Sequence, residues 1–166
     1  MKKIVFLISI TLFTIHAFSQ DNNNIPQLDL KTLDGQVFNT ENIDNGDNPI
    51  ILSFWATWCK PCIKELTAYN EHYIDWHEET GVKIIAVSVD NARSMARVAP
   101  FVNGRGWTDI QFYLDPNQDF KREMNIINVP HTLLLNKDNE VVWQHTSYSE
   151  GDEYEVYDQL IELSEK

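Results

Sequence analysis

Ile50-Ile51-Leu52-Ser53-Phe54-Trp55-Ala56-Thr57-Trp58-Cys59-Lys60-Pro61-Cys62 holds both cysteines of the chain. Its first half is an apolar run rich in β-branched and aromatic residues. After the Cys-x-x-Cys, apolar positions recur at helical spacing from Ile63 through Leu66, Tyr69 and Tyr73 to Trp76. The pattern is a buried strand, a short turn and a helix. Cys59 then falls at the helix N-terminus, where unpartnered backbone N–H groups and the positive end of the helix dipole favour a negative sulfur. Such a thiol ionises easily, Lys60 adds a neighbouring cation, and the thiolate is the nucleophile of disulfide exchange. Pro61 suits the first turn, because its fixed φ is helical and the N–H it lacks has no partner there. Cys62, one turn in, is close enough to close on Cys59.

Two plainer readings compete with a redox pair. A structural disulfide closing so short a loop removes little chain entropy and stabilises little. A closed zinc site takes about four ligands, and the chain has no second cysteine pair and no histidines at ligand spacing. Exchange chemistry accounts for the motif better than either, and no metal is expected.

At 166 residues, 43% apolar and 11% aromatic, the chain can build one domain with a substantial core. Lys2-Lys3 precede an apolar stretch over residues 4–15, and Ala17-Phe18-Ser19 places small residues ahead of a cut before Gln20. Residues 1–19 are expected to be a cleaved secretory signal peptide, and residues 20–166 the folded domain in the periplasm. The alternative is an uncleaved anchor in the inner membrane, although the apolar run is shorter than the ~20 residues that span a bilayer. Removing residues 1–19 takes away two lysines and no acid, so the net charge goes from −12 to −14. That balance argues against nucleic acid and anionic membrane surfaces as partners.

Along the chain, residues 26–33 alternate apolar and polar, Asp34-Gly35 turns, and residues 36–39 return as a hairpin. Residues 44–49 form a loop. Gly81 stops the first helix, and residues 82–89 read as a strand covered on both faces. A helix is expected over residues 94–103 with a kink or break at Pro100, followed by a short strand over 111–114 and a turn into a helix over 115–124. Val129-Pro130 opens a strand to Leu135, Asp138-Asn139 turns it, and residues 140–145 pair back. A last helix over 153–163 offers Tyr154, Tyr157, Leu160, Ile161 and Leu163 as its apolar face. The expected class is α/β, with a central mixed sheet flanked by helices.

The motif Phe54-Trp55-Ala56-Thr57-Trp58-Cys59-Lys60-Pro61-Cys62, the strand-helix-strand after it and the distant Val129-Pro130 resemble the thioredoxin superfamily. The signal-like leader, the N-terminal β-hairpin and the strand-helix insertion before Val129 narrow the resemblance to the TlpA/ResA-like thiol-disulfide oxidoreductases. It implies a thioredoxin-like fold in which Cys59, Cys62, Glu65 and Pro130 are catalytic, with Pro130 cis against the cysteines. Trp58, Lys60, Pro61 and Val129 would contact substrate, the Val129 backbone pairing with an extended segment. Glu65, three residues after Cys62, matches a glutamate that in ResA-like proteins influences thiol ionisation; its plainer reading is an exposed helix acid. Ser53 stands where thioredoxin has a buried aspartate, which leaves proton handling to Glu65, to water or to neither. His131 and Trp55 have packing as a sufficient reason.

The resemblance implies a periplasmic reductant of protein disulfides, in cytochrome c maturation or similar work, with no cofactor beyond the Cys59–Cys62 disulfide. Its partners would be protein or peptide disulfides and a membrane electron donor, and the chain would act as a monomer. Alternatives are an oxidase or isomerase using the same site, or a Sco-like copper chaperone using the thiolates and His131, although that type has Cys-x-x-x-Cys. Peroxiredoxin chemistry fits less well, because Ala56 stands where a Thr-x-x-Cys pattern needs threonine.

Overall fold

The computed structural model describes residues 24–44 and 46–165. The expected signal peptide, residues 1–19, lies outside them. The elements are β1 (Asp29–Thr32), β2 (Val37–Asn39), β3 (Ile50–Trp55), α1 (Lys60–Thr80), β4 (Lys83–Ser88), α2 (Val98–Asn103), β5 (Ile110–Leu114), α3 (Asp119–Glu123), β6 (His131–Leu135), β7 (Val141–Thr146) and α4 (Asp152–Ser164). They build one sheet in the order β2-β1-β5-β4-β3-β6-β7. β3, β4 and β5 run parallel, and β6, β7, β1 and β2 add antiparallel pairings on either side.

β3 is buried at all six positions, as its unbroken apolar run requires of a strand covered on both faces. Strand alternation sends Ser53 and Trp55 to one face and Phe54 to the other. On the first face Ser53 meets Glu65 of α1, Trp55 meets Phe101 of α2 at 6.0 Å between ring centroids, and α4 packs on α1 through Tyr157 and Trp76. On the second, Phe54 meets Phe120 of α3 at 5.2 Å. The mixed sheet is therefore sandwiched between α1, α2 and α4 on one side and α3 on the other. The expected strand-helix insertion is α2 with β5, and β5 carries the N-terminal hairpin on its free edge.

Three local readings change. The Asp34-Gly35 hairpin has a three-residue loop: the Thr32 N–H bonds Gln36 O, the Gly35 N–H bonds Thr32 O, and Gly35 takes a left-handed φ of 85°. Pro100 does not break a long helix. It sits in the first turn of α2, after a 3₁₀ turn over Met95–Arg97, where the N–H it lacks is not needed. In α4 the buried face is Glu153, Val156 and Leu160, at i, i+3 and i+7, while Tyr154 falls about one residue's rotation away and is exposed.

Phe120 is fully buried and is the aromatic anchor of a helix only five residues long. Phe120→Ala should cost about 3–5 kcal/mol, read as the change in urea unfolding free energy of the disulfide form. A loss near 1 kcal/mol would mean that α3 does not hold its face of the sheet.

Candidate active site

β3 stops at Trp55 and α1 starts at Lys60 with Cys59 as its N-cap. Cys59 has extended backbone, and its sulfur accepts the Cys62 N–H at 3.2 Å, one of the donors that a helix start leaves free. Pro61 lies in the first turn, where its missing N–H removes no helical bond. The Cys59 N–H closes a turn on Ala56 O at 3.0 Å. Cys59 and Cys62 form a disulfide, with Cα atoms 5.3 Å apart. Cys62 is wholly buried and Cys59 is 5% exposed, so the edge of the pair that meets solvent belongs to Cys59.

Glu65 is not an exposed helix acid. It lies on the buried face of α1, one turn beyond Cys62, and is 1% exposed. Ser53 Oγ donates to Oε2 at 2.8 Å and Thr132 Oγ1 to Oε1 at 2.9 Å; the Tyr69 hydroxyl lies 3.3 Å from Oε1 and 3.4 Å from Thr132 Oγ1. Ser53 and Thr132 are direct cross-strand partners of β3 and β6, so their hydroxyls leave the sheet side by side. Burial disfavours the charged form and pushes the Glu65 carboxyl up from 4.5 to about 7, against the pull of the three hydroxyls.

The Val129–Pro130 peptide bond is cis, as the family resemblance implies. β6 begins one residue later, with His131 opposite Phe54, which brings Pro130 level with the end of β3 where the cysteine turn starts. Trp58, 66% exposed, and Val129 line a groove of about 310 Å³ together with Val89, Gln118, Lys121, Ile127 and Asn128. Lys60 and Pro61 are exposed on the first turn of α1 and do not line it. A larger cavity, about 440 Å³, lies at the opposite end of the sheet between Pro49, Thr80, Asn136 and Leu163 and contains none of the candidate residues.

His131 points to the sheet face opposite Glu65, where its ring bonds Thr146 Oγ1 at 2.8 Å and Gln144 Oε1 at 3.3 Å. Among the described residues no group of three or more His, Cys, Asp or Glu side chains is placed to hold a metal ion. No helix among them is long and apolar enough to cross a membrane. Trp55 is a core residue, its ring edge-on to Trp107 and Phe112 and tilted against Phe101.

Residues 22–144 match the model of the AhpC/TSA family. The chain belongs to that family. Over 113 residues it is 32% identical to sporulation thiol-disulfide oxidoreductase A of Bacillus subtilis, covering 68% of this chain and 66% of that protein. Over 108 residues it is 34% identical to thiol-disulfide oxidoreductase ResA of Bacillus thuringiensis, covering 65% and 60%. The matches thus span just under two thirds of each relative's length. Among solved structures, an uncharacterized thioredoxin-like protein from Porphyromonas gingivalis superposes with a TM-score of 0.75 at 40% identity, over 85% of this chain and 92% of that one. The fold is thioredoxin-like, with the seven-stranded mixed sheet described above.

Tyr69 and Thr132 were not legible as site residues. Tyr69 reads as one more apolar position on α1 and Thr132 as one more β-branched strand residue. Tyr69 reaches Glu65 from one turn further along α1, whereas only the pairing of β6 with β3, a contact across 67 positions of sequence, brings Thr132 to it.

The raised Glu65 carboxyl makes stability depend on pH with a definite sign. Between pH 4.5 and about 7 the native state holds a proton that the unfolded chain has already lost. Stability therefore falls as pH rises through that window, by about 3 kcal/mol in all at about 1.4 kcal/mol per unit. Glu65→Gln should flatten the fall, leaving the variant more stable than wild type at pH 8 but not at pH 5, by urea unfolding of the disulfide form. Parallel pH profiles for the two proteins would show that Glu65 is ionised in the fold at pH 5.

Proposed function

We propose that the chain is a thiol-disulfide oxidoreductase that reduces disulfides in exported proteins. The observation that carries the reading is the asymmetric Cys59–Cys62 pair at the start of α1, Cys59 the N-cap with the pair's one solvent-facing edge and Cys62 wholly buried one turn from an acid of near-neutral pKa. The curated relatives named thiol-disulfide oxidoreductases support it.

In the reduced protein the Cys59 thiolate, held by the Cys62 N–H and the helix end, attacks one sulfur of a substrate disulfide. A Cys59–substrate bond forms, and the other substrate sulfur leaves as a thiolate and takes up a proton. Cys62 then loses its proton and attacks the Cys59 sulfur. The Cys59–Cys62 bond forms, the mixed disulfide breaks, and the second substrate thiol is released. Two electrons pass from the protein dithiol to the substrate, so no further cofactor takes part. Glu65, on the same helix face one turn from Cys62, accepts the Cys62 proton; a carboxyl near neutrality is suited to both halves of that exchange. The groove between Trp58 and Val129 receives an extended segment, the Val129 backbone pairing with it and cis-Pro130, next in the chain, fixing the direction in which Val129 enters β6. Lys60 and Pro61 act from the first turn, Lys60 as a nearby cation and Pro61 as the start of the helix.

The oxidised protein needs re-reduction, which we assign to a membrane electron donor. The signal-like residues 1–19 support action in the periplasm, either free after cleavage or tethered by that segment. We take the chain to act as a monomer. Cytochrome c maturation is the process in which we place it, on the strength of the ResA-like resemblance. The geometry does not favour a copper chaperone, because His131 faces away from the Glu65 side of the sheet and is committed to Thr146 and Gln144.

Cys62→Ser should accumulate a mixed disulfide with a disulfide-containing peptide, seen on non-reducing gels and by mass, whereas Cys59→Ser should trap none. Trapping by the Cys59→Ser variant alone would reverse the two roles. Equilibration of the pair with thiol buffers should give a potential near or below the ~−270 mV of thioredoxin, while a value near the ~−120 mV of DsbA would make the protein an oxidase.

A further inference from the structure

Asp90 lies just past the end of β4 and is 1% exposed. Three donors fill its carboxylate: the Thr57 N–H reaches Oδ2 at 2.8 Å, the Thr57 hydroxyl Oδ1 at 2.8 Å, and the Ser88 hydroxyl Oδ2 at 2.9 Å. Its own N–H returns to Ser88 Oγ at 3.2 Å. A buried carboxylate is costly unless its oxygens are paired. Here the pairing is made largely with the turn that carries Cys59. The backbone tie between the chains of β3 and β4 reaches its last step at Val89 N–H to Trp55 O, 2.8 Å. Beyond it the Asp90 carboxylate grips Thr57, two residues before Cys59.

In the oxidised protein the disulfide itself fastens Cys59 to α1. Reduction removes that bond, and Cys59 is then held by its N–H on Ala56 O at 3.0 Å and its carbonyl on the Ile63 N–H at 3.2 Å, with Asp90 securing the turn before it. We propose that Asp90 is a positioning residue that keeps Cys59 at the N-cap of α1 in the reduced protein, where its sulfur meets the Cys62 N–H and the positive helix end. The proposal rests on the reading of Cys59–Cys62 as a pair that cycles. Because the disulfide supplies the same restraint in the oxidised form, losing the latch destabilises the reduced form more. Linkage then moves the pair toward the disulfide.

The test equilibrates wild type, Asp90→Ala, Asp90→Asn and Thr57→Val with dithiothreitol buffers and reads the reduced fraction by thiol alkylation. Iodoacetamide rates against pH then follow Cys59 ionisation in each reduced protein. Asp90→Ala should shift the equilibrium about tenfold toward the disulfide, which is about 30 mV, and move the alkylation profile to higher pH. Asp90→Asn keeps the geometry without the charge: its carbonyl accepts from the Thr57 N–H and Ser88, and its amide donates to the Thr57 hydroxyl. It should restore the equilibrium to within about threefold of wild type. Thr57→Val, which leaves only the backbone donor, should fall between. An Asp90→Ala protein with wild-type equilibrium and alkylation profile would overturn the proposal even if it melted earlier, since only stability would then depend on Asp90. Asp90→Asn shifted as far as Asp90→Ala would overturn it too, assigning the effect to charge. Should Asp90→Ala not fold, Thr57→Val decides, and an unshifted equilibrium for it sinks the latch. A wild-type pair that never equilibrates with dithiothreitol overturns the cycling reading itself, and the latch with it.

Discussion

Between Trp55 and Lys60 the backbone changes from extended to helical within four residues, and the last of these has to place a sulfur where the helix leaves its N–H groups free. That junction constrains the rest of the architecture. β3 must be central, because only a strand held on both sides and covered on both faces fixes its end closely enough to aim the next turn. It is paired along its length with β4 on one side and β6 on the other. The same two neighbours also furnish the site: β4 leads into the loop that grips the cysteine turn, and β6 opens with cis-Pro130 and supplies Thr132. A change in register of either strand by one residue would turn Thr132 or Ser88 to the opposite face.

The helix that follows has two tasks with conflicting demands. It must bury an apolar face on the sheet, and it must bury Glu65 on that same face. Leu66, Tyr69 and Trp76 meet the first demand, the last two rings tilted together at 5.7 Å between centroids and Trp76 stacking on Tyr157 of α4. The second is met locally by hydroxyl groups, and the residual cost appears as a carboxyl that holds its proton to about pH 7. Stability is given up at neutral pH, and the proposed mechanism uses the resulting acid one turn from the buried cysteine, as functional sites commonly do.

Much of this was legible from residue order. The unbroken apolar run 50–55, the Cys-x-x-Cys and the helical spacing after it carry the strand, turn and helix without reference to anything distant. The hairpins at Asp34-Gly35 and Asp138-Asn139 carry their own turn chemistry, with Gly35 and Asn139 both at left-handed φ. What residue order hides is sheet neighbourhood. Asp90 after an apolar strand reads as the first polar residue of a loop, and Ser53 reads as the absence of an aspartate rather than the partner of Glu65. The face of α4 was misplaced for a related reason: Tyr154 is large and apolar enough to count toward a stripe, but the helix is rotated so that Glu153 turns inward, where its carboxylate accepts from the Tyr148 hydroxyl at 2.7 Å and the Gly151 N–H at 2.8 Å.

With a hydroxyl at Ser53 and the acid on α1, the donors around the carboxyl decide how a proton can move. A carboxylate held by fixed cationic or backbone donors is locked in its charged form, since those donors cannot accept. Ser53, Thr132 and Tyr69 are all hydroxyls, and each can donate to a carboxylate or accept from a carboxyl by rotating one O–H bond. The shell around Glu65 therefore fits both protonation states with its heavy atoms unmoved. Such a group exchanges a proton without rearranging the sheet beneath the cysteines, which is what alternation between dithiol and disulfide demands of its neighbour. In the proposed mechanism the acid stands not on the strand, where Ser53 lies, but on the helix that also bears Cys62, so acid and thiol share one rigid element.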